Sequence, residues 1–381
     1  MKKPRLAAIE YIRGISMMGV IGIHVGSQYL ENPSANLHLV ALFDVFTRFS
    51  VPIFFFISAF GLFYNLDIKE PFDYKGFMKR RFRTVLIPYI AWSFFYIITN
   101  SVFHGARFPS ALELVRLFFF GLTQYHLYFL VILLWFYLLM PCWIVMVRHM
   151  TWKGIALLLL LQIGFNYVSS FNATLYYFIA DLPDDSLLKP FLAYRLNYWV
   201  FHYIFIFLLG GWLSVHILEF QKFMQEHRTG ICLSFWLTLA ALLGYYYELI
   251  FSGATLLEAI YTAHQLCPAG VLYTIAASIF FFTIFTYQKY PDFLNPVFSL
   301  LGRHSYFAYL AHPVFLTTYS IALARSGHIM TAPLAILMYI VVLCSVMLAA
   351  ILCRRIGKYI PILNLLSIGI SSQKNNAAKI T

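Results

Sequence analysis

The first apolar segment of the chain, residues 8–28, reads AIEYIRGISMMGVIGIHVGSQ. Its length matches the ~20 residues that an α-helix needs to cross ~30 Å of hydrocarbon. The N-terminus, which begins MKKPRL, starts like a signal peptide, but Glu10 and Arg13 interrupt the apolar region and no small-residue cleavage site follows. We therefore expect residues 8–28 to be retained as the first membrane span.

The composition of the whole chain predicts many such spans. Of the 381 residues, 61% are apolar or aromatic and only 11% are charged, whereas a typical soluble domain is roughly 25% charged. A soluble protein of this size could not bury so much apolar surface in one core. The same content excludes a disordered chain. The five cysteines contain no CxxC pair, so we interpret them as buried thiols.

Nine further segments resemble the first in length and apolar character. The sequence therefore predicts an all-α, polytopic integral membrane protein of about ten spans, organised as a single membrane domain over residues 1–381. The predicted spans are approximately 8–28, 42–65, 84–103, 125–147, 154–172, 197–218, 230–250, 268–287, 304–324 and 332–353. No soluble domain, long linker or sequence repeat separates them.

Lysine and arginine are distributed unevenly around these spans. Twenty of them fall in segments on the side of the two chain ends, and five fall in segments on the opposite side. Cytoplasmic loops of membrane proteins accumulate Lys and Arg, so the bias predicts that both termini are cytoplasmic. The same bias explains the net charge of +12 without the nucleic-acid partner that a basic soluble protein would suggest.

Two ionisable side chains lie within the first predicted span. Arg13 and His24 are eleven residues apart, which is three helical turns plus about 20°, so they share one face ~16 Å apart along the axis. Arg at a helix centre costs ~2.5–3.5 kcal/mol, and such groups usually face the protein interior and are functional. An interfacial anchor for Arg13 and a hydrogen-bonded structural histidine for His24 stay open as alternatives.

The chemistry of this pair suggests a reaction. Histidine is the usual general base near neutral pH, because its pKa lets it take and return a proton. The planar fork of arginine donates two parallel hydrogen bonds to a phosphate or carboxylate. Arg13 and His24 therefore suggest chemistry between a phosphorylated donor and a second substrate.

A basic cluster precedes the third predicted span in the sequence KGFMKRRFRTVLIPY, residues 75–89. Arg80 and Arg83 are three residues apart, so on a helix they would project from the same side. Together they would hold a diphosphate at the membrane surface. The ordinary excess of positive charge in cytoplasmic loops is an equally good explanation of the cluster.

Three further polar side chains lie at or within predicted spans. His126 begins the fourth, and His312 precedes Pro313, where we expect a kink that exposes backbone groups to a cavity. For each histidine a structural role is at least as good an interpretation. Ser58 lies mid-span, where a hydrogen bond to the preceding turn is the simpler reading. No Walker A, GxGxxG, HExxH or GxSxG motif and no metal-ligand spacing occurs, so no metal is expected.

In combination these elements resemble the acyltransferase-3 family of bacterial multispan membrane acyltransferases. Arg13 and His24 match the family's first-span pattern of Arg, ten residues and His. The other matching elements are VPIFFFISAFGLF (residues 51–63), RRFRTVLIPY (80–89), YHLYFL (125–130) and LGRHSYFAYLAHPVF (301–315). The chain departs from the family pattern at Ala59, where Gly is usual, and at Tyr128, where Trp is usual. Each element is weak alone, but five in this order are fairly specific.

The resemblance implies an O-acyltransferase of the bacterial cytoplasmic (inner) membrane. It implies transfer of an acyl group, with acetyl the expected one, from cytoplasmic acyl-CoA to a hydroxyl of an extracytoplasmic or lipid-linked carbohydrate. The expected partners are acyl-CoA, a carbohydrate or glycolipid acceptor and membrane lipid. The SGNH esterase-like domain that some members carry is expected to be missing here. The alternative class is a transporter or flippase for a glycan or lipid-linked sugar, for which we detect no inverted repeat.

The resemblance also assigns expected roles to individual residues. It implies catalytic roles for His24 and Arg13 and binding of acyl-CoA by Arg80 and Arg83. The residues expected to line the site are His126, His312, Ser58 and Tyr309.

Overall fold

A computed structural model of the chain describes residues 4–288 and 290–370. Within these residues the secondary structure is helical and contains no β-strand, which confirms the predicted all-α class. Lys2, Lys3, Lys289, Lys374 and Lys379, which contribute to the predicted topology, lie outside the described residues. The cytoplasmic location of both termini stays a prediction.

The described residues form twenty α-helices joined by turns and a few irregular segments. They are α1 (Ala7–Tyr29), α2 (Leu37–Val40), α3 (Ser50–Tyr64), α4 (Tyr74–Arg81), α5 (Ile87–His104), α6 (Ala111–Phe120), α7 (Tyr128–Leu138), α8 (Met140–His149), α9 (Trp152–Asn166), α10 (Ala173–Ala180), α11 (Leu188–Ala193), α12 (Arg195–Tyr198), α13 (Ile204–Val215), α14 (Ile217–Glu226), α15 (Arg228–Phe251), α16 (Leu256–Thr262), α17 (Pro268–Tyr287), α18 (Leu294–Arg325), α19 (Ala332–Ile356) and α20 (Pro361–Ile368). Single π-helical turns lie at Ala41–Val45, Phe82–Leu86 and Tyr167–Phe171, and a 3-10 turn lies at Val200–His202.

Many of these helices are long and apolar enough to cross a membrane. Among the described residues eight helical segments meet that condition, and two bent helix pairs raise the number to ten if each pair is one span. The eight are Ala7–Tyr29, Leu37–Tyr64, Tyr74–Phe103, Trp152–Phe171, Arg228–Phe251, Pro268–Tyr287, Leu294–Arg325 and Ala332–Ile356. The prediction of a polytopic membrane protein with about ten spans is therefore confirmed.

Two predicted spans are not straight helices. Predicted span 125–147 is the pair α7 and α8, bent by 67°, and predicted span 197–218 becomes the pair α13 and α14, bent by 96°. Pro141 lies in the first turn of α8, where its missing N–H is tolerated, although it cannot continue the hydrogen-bond ladder of α7. Beyond the second bend, α14 carries Lys222 and Glu226. That polar composition suits the membrane interface and not the hydrocarbon core.

Helix α1 lies at the centre of the bundle and contacts α3, α17, α18 and α19. Its backbone approaches α18 closely at Gly14, where an added Cβ would lie 2.8 Å from Leu301 Cβ and 2.9 Å from the Gly302 backbone nitrogen. Small residues allow such close packing of membrane helices. This contact sets the position of Arg13 and His24 on α1 against the polar residues of α18.

Candidate active site

Three of the histidines named from the sequence lie together. The rings of His24 on α1 and His312 on α18 are nearly parallel, with centroids 5.2 Å apart and planes 17° apart. The ring of His126, in the turn before α7, lies 5.0 Å from the ring of His312. His312 is fully buried and His126 is 2% exposed, whereas His24 is half-buried. The fold thus joins residues from three distant parts of the sequence.

Pro313 determines how the ring of His312 is held. Helix α18 runs through Pro313, and because proline has no N–H, the carbonyl of Tyr309 one turn earlier loses its helical donor. His312 Nδ1 lies 2.8 Å from the Tyr309 carbonyl oxygen and 3.2 Å from that of Ala308. A carbonyl only accepts, so Nδ1 carries the proton and Nε2 keeps its lone pair. Within the described residues Nε2 has no hydrogen-bond partner.

A cavity of about 450 Å³ opens beside these rings. We call it the histidine cavity; His24, His126 and Tyr309 are in its wall. The Tyr309 hydroxyl donates a hydrogen bond to the His126 carbonyl oxygen, which ties α18 to the start of α7. The ring of Tyr125 packs on His24 with centroids 4.4 Å apart. Of the three histidines, His24 and His126 therefore line the cavity, whereas His312 packs against His24 and is outside the described lining.

Two further cavities lie beside Arg13, on the same helix as His24. Arg13 lines one of about 310 Å³ and one of about 300 Å³, and Ser58, Arg81 and Tyr137 line both. We call these two the arginine cavities. Arg13 is exposed to them, although its helix is central in the bundle. Ser58 therefore shares both arginine cavities with Arg13 and is outside the described lining of the histidine cavity.

The structure places Arg81, and neither Arg80 nor Arg83, in the described walls of the arginine cavities. A π-helical turn, Phe82–Leu86, starts directly after Arg81. Arg83 thus lies beyond the change from the α-helix to a wider π turn, and its predicted alignment with Arg80 on one face stays a prediction. The Arg81 guanidinium lies 5.2 Å from the ring centroids of Phe77 and of Tyr137, which holds it at the cavity. The role of Arg80 and Arg83 in donor binding stays a prediction.

The cavities adjoin one another. Phe129 and Tyr309 belong to the walls of both the second arginine cavity and the histidine cavity. Arg13 and His24 therefore face two adjoining spaces, as their common position on one helix predicts. A long substrate lying past Phe129 and Tyr309 would contact both.

Sequence reasoning missed one charged pair at the site. Asp44 and Arg48 form an ion pair in the wall of the histidine cavity. Asp44 and Arg48 both lie inside the predicted span 42–65, four residues apart. Opposite charges at this spacing within a span indicate an ion pair and could have identified these residues. Among the described residues, no group of three or more His, Cys, Asp or Glu side chains is arranged to hold a metal ion.

The fold and these cavities define a polytopic membrane protein with a polar interior. A family model described as an acyltransferase domain matches residues 6–355. The match covers most of the chain, so the protein belongs to this acyltransferase-3 family, as the sequence elements predict, and it is a membrane acyltransferase. Comparison with curated proteins and with solved structures produced no match to the chain.

Proposed function

We propose that the protein transfers an acyl group, with acetyl the expected one, from cytoplasmic acyl-CoA to a hydroxyl of a carbohydrate or glycolipid acceptor. The observation that carries this proposal is the wall that Phe129 and Tyr309 share between an arginine cavity and the histidine cavity. One cavity suits an anionic donor, and the other holds a base. The reacting groups would meet where the two cavities adjoin.

The arginine cavities suit the phosphates of acyl-CoA. Arg5 pairs with Glu10 in the first of them, which leaves the guanidinium groups of Arg13, Arg81 and Arg303 in the described walls. Arginine binds phosphate oxygens bidentately, and the bonds are charge-assisted. CoA carries its thioester on a long flexible arm, far from its phosphates. A donor of that shape is needed if phosphates bind at Arg13 and reaction occurs at His24, ~16 Å away along the helix.

His24 is the proposed general base. As it takes the proton of the acceptor hydroxyl, the hydroxyl oxygen bonds to the thioester carbonyl carbon. The carbon–sulfur bond then breaks, and CoA leaves as the thiol with the proton that the imidazolium returns. The ring of His312, held by the Tyr309 and Ala308 carbonyls, packs against His24 and limits its orientation. His312 is thus a positioning residue in this scheme.

The position of the first arginine cavity supports donor binding from the cytoplasm. Pro4 and Arg5, close to the N-terminus, line this cavity. If the N-terminus is cytoplasmic, as the distribution of Lys and Arg predicts, the cavity opens on the side where acyl-CoA is made. We therefore place the protein in a bacterial inner membrane with its donor site facing inward. The alternative of a transporter or flippase is less favoured, because the chain belongs to an acyltransferase family.

Acyl transfer is tested with the purified full chain in lipid vesicles. Radiolabelled acetyl-CoA is added with a panel of glycosides and lipid-linked sugars, and mass spectrometry identifies the product. We expect acetylation of an acceptor hydroxyl with release of one CoA thiol per acetyl group. Movement of a lipid-linked sugar across the vesicle membrane, without consumption of acetyl-CoA, would support the transporter instead.

A further inference from the structure

A buried ion pair lies in the wall of the histidine cavity, whose described lining contains none of the arginines of the arginine cavities. Asp44 belongs to the π-helical turn Ala41–Val45 and Arg48 follows one turn later, with side chains 3% and 12% exposed. Both line the cavity together with His24. Removing two charges from water is costly unless further hydrogen bonds satisfy them. A pair in this position therefore calls for an explanation beyond packing.

The guanidinium of Arg48 is held by three groups. It pairs with the Asp44 carboxylate, its Nη1 lies 3.3 Å from Gln265 Oε1, and its Nη2 lies 3.0 Å from the Ile260 carbonyl oxygen. Arg48 Nε has no hydrogen-bond partner within the described residues. The side chain is thus rigid, but it is not fully satisfied. A buried donor without a partner is uncommon in a native structure and calls for an explanation.

The charges in the wall of the histidine cavity cancel. Asp44 and Arg48 are the only acidic and basic side chains, histidines aside, in its described lining. The arginine cavities differ, because their described walls carry more guanidinium groups than carboxylates. A charged acceptor would lose its hydration in the histidine cavity and find no unpaired opposite charge there, because Asp44 and Arg48 already pair with each other. Its desolvation would therefore cost a large free energy. The charge balance therefore selects an uncharged acceptor.

The rest of the wall combines aliphatic side chains with amide and hydroxyl groups and aromatic rings. Gln28 and Gln265 supply amides, and Tyr125, Tyr128 and Tyr261 supply rings. Amides and hydroxyls both donate and accept hydrogen bonds, as the hydroxyls of a polyol require. Aromatic rings cover apolar C–H surface and carry a polar tip. This mixture is suited to a sugar ring, which has hydroxyl groups at its edge and C–H groups on its faces.

We propose that Asp44, Arg48 and Gln265 form an acceptor subsite that selects an uncharged, hydroxyl-rich ring and places one of its hydroxyls beside His24. The proposal rests on the acyl transfer proposed above and adds the charge class of the acceptor. Arg48 and Gln265 donate hydrogen bonds to ring oxygens. An unpaired arginine would attract the carboxylate of an acidic sugar. Asp44 cancels the charge of Arg48, so acidic sugars do not gain this attraction.

The test uses two acceptors that differ in one group. 4-Nitrophenyl β-glucoside carries a hydroxymethyl group where 4-nitrophenyl β-glucuronide carries a carboxylate. Acetylation of each by the purified full chain is followed with acetyl-CoA at saturation. The wild type should acetylate the glucoside with the higher kcat/KM. Asp44→Asn leaves Arg48 without its counter-charge and should shift the ratio of kcat/KM values toward the glucuronide by about tenfold or more, the effect of one charge-assisted hydrogen bond.

Three variants separate charge from damage to the fold. The double substitution Asp44→Asn with Arg48→Gln keeps the wall neutral, so it should raise both KM values without shifting their ratio. Gln265→Glu adds a negative charge and should move the ratio further toward the glucoside, which provides a second test if Asp44→Asn does not fold. Glu219→Gln, on the exposed face of α14, is a matched loss of one carboxylate outside the cavity and should change neither value.

The results that contradict the subsite differ from those that contradict acyl transfer. The subsite is overturned if the wild type prefers the glucuronide, if it binds acetyl-CoA but acetylates neither glycoside, or if no variant shifts the ratio. Acyl transfer from CoA is itself contradicted if the folded wild type does not bind acetyl-CoA. Acetyl-CoA affinity, measured by calorimetry on each folded variant, distinguishes the two cases and should be unchanged by every substitution at the subsite.

Discussion

The imidazole rings of His24 and His312 stack with centroids 5.2 Å apart, although one lies on the first helix and the other on α18. The contact depends on the close approach of α1 and α18 at Gly14. It places the half-buried ring of His24 in the cavity wall and the fully buried ring of His312 behind it.

Replacement of His24 should abolish most of the activity. We expect His24→Ala and His24→Gln to lower the rate of acyl transfer by ~10²–10⁴-fold, since neither side chain takes and returns a proton. That loss corresponds to ~3–5 kcal/mol of transition-state stabilisation. Transfer from acetyl-CoA in membranes is the measurement, with expression as the check on folding. His149→Gln, at an exposed position near the end of α8, is the control. A His24→Gln enzyme of near wild-type rate would show that His24 is structural.

Arg13 and Arg81 should contribute more to donor affinity than Arg80. We expect Arg13→Ala and Arg81→Ala each to weaken acetyl-CoA binding by about tenfold or more, because each removes a charge-assisted contact to phosphate. Lysine at either position should restore only part of the affinity, because a point charge does not reproduce the bidentate fork. Titration calorimetry on purified protein measures the affinity. Arg80→Ala is the matched control, and a larger effect there or at Arg83 would favour the pairing predicted from the sequence.

Pro313 should matter for catalysis more than for stability. Pro313→Ala supplies a backbone N–H to the Tyr309 carbonyl and competes with His312 Nδ1 for that acceptor. We expect the melting temperature to hold or rise and acetyl-CoA affinity to stay constant, while kcat falls because the ring beside His24 loses its fixed orientation. Pro333→Ala, in the first turn of α19, is the control. An unchanged kcat in Pro313→Ala would show that the orientation of the His312 ring does not affect the reaction.

Gly14 should be intolerant of larger side chains. A Cβ added at Gly14 would lie 2.8 Å from Leu301 Cβ, whereas a Cβ added at Gly244 would have no neighbouring atom within 4 Å. Gly14→Val should therefore cost ~1–3 kcal/mol through overpacking. Gly244→Ala should be neutral or slightly stabilising, because alanine favours the helix by ~1 kcal/mol over glycine. Thermal unfolding in detergent compares the two, and equal melting temperatures would contradict the close packing of α1 on α18.

Both termini should lie in the cytoplasm. A reporter enzyme that is active only outside the membrane, fused after Thr381, should give no signal. The same reporter inserted in a segment predicted to be external, such as the loop before α6, should be active and serves as the control. Strong activity from the C-terminal fusion would reverse the orientation and place the arginine cavities on the side away from acyl-CoA.

Local properties of the sequence were sufficient for the membrane class, most span positions and the family. Predicted span 268–287 coincides with α17, because hydrocarbon thickness alone determines how long an apolar helix must be. The placement of Arg13 and His24 on one helix is equally local, since it follows from 3.6 residues per turn. The bends after α7 and α13 were not predicted. Apolar residues continue through both bends, and apolar content does not indicate where the axis of a helix changes direction.

The composition of the site depended on contacts between distant residues. By itself the sequence determined that the chain spans a membrane many times and that Arg13 and His24 share a helix, because these depend on composition and helical period. Only the tertiary structure decided that His126 and His312 join His24, that Asp44 and Arg48 line the same cavity, and that Arg81 faces Arg13. Each of these depends on how helices pack against one another, and a pattern of 3.6 residues per turn contains no information on that packing.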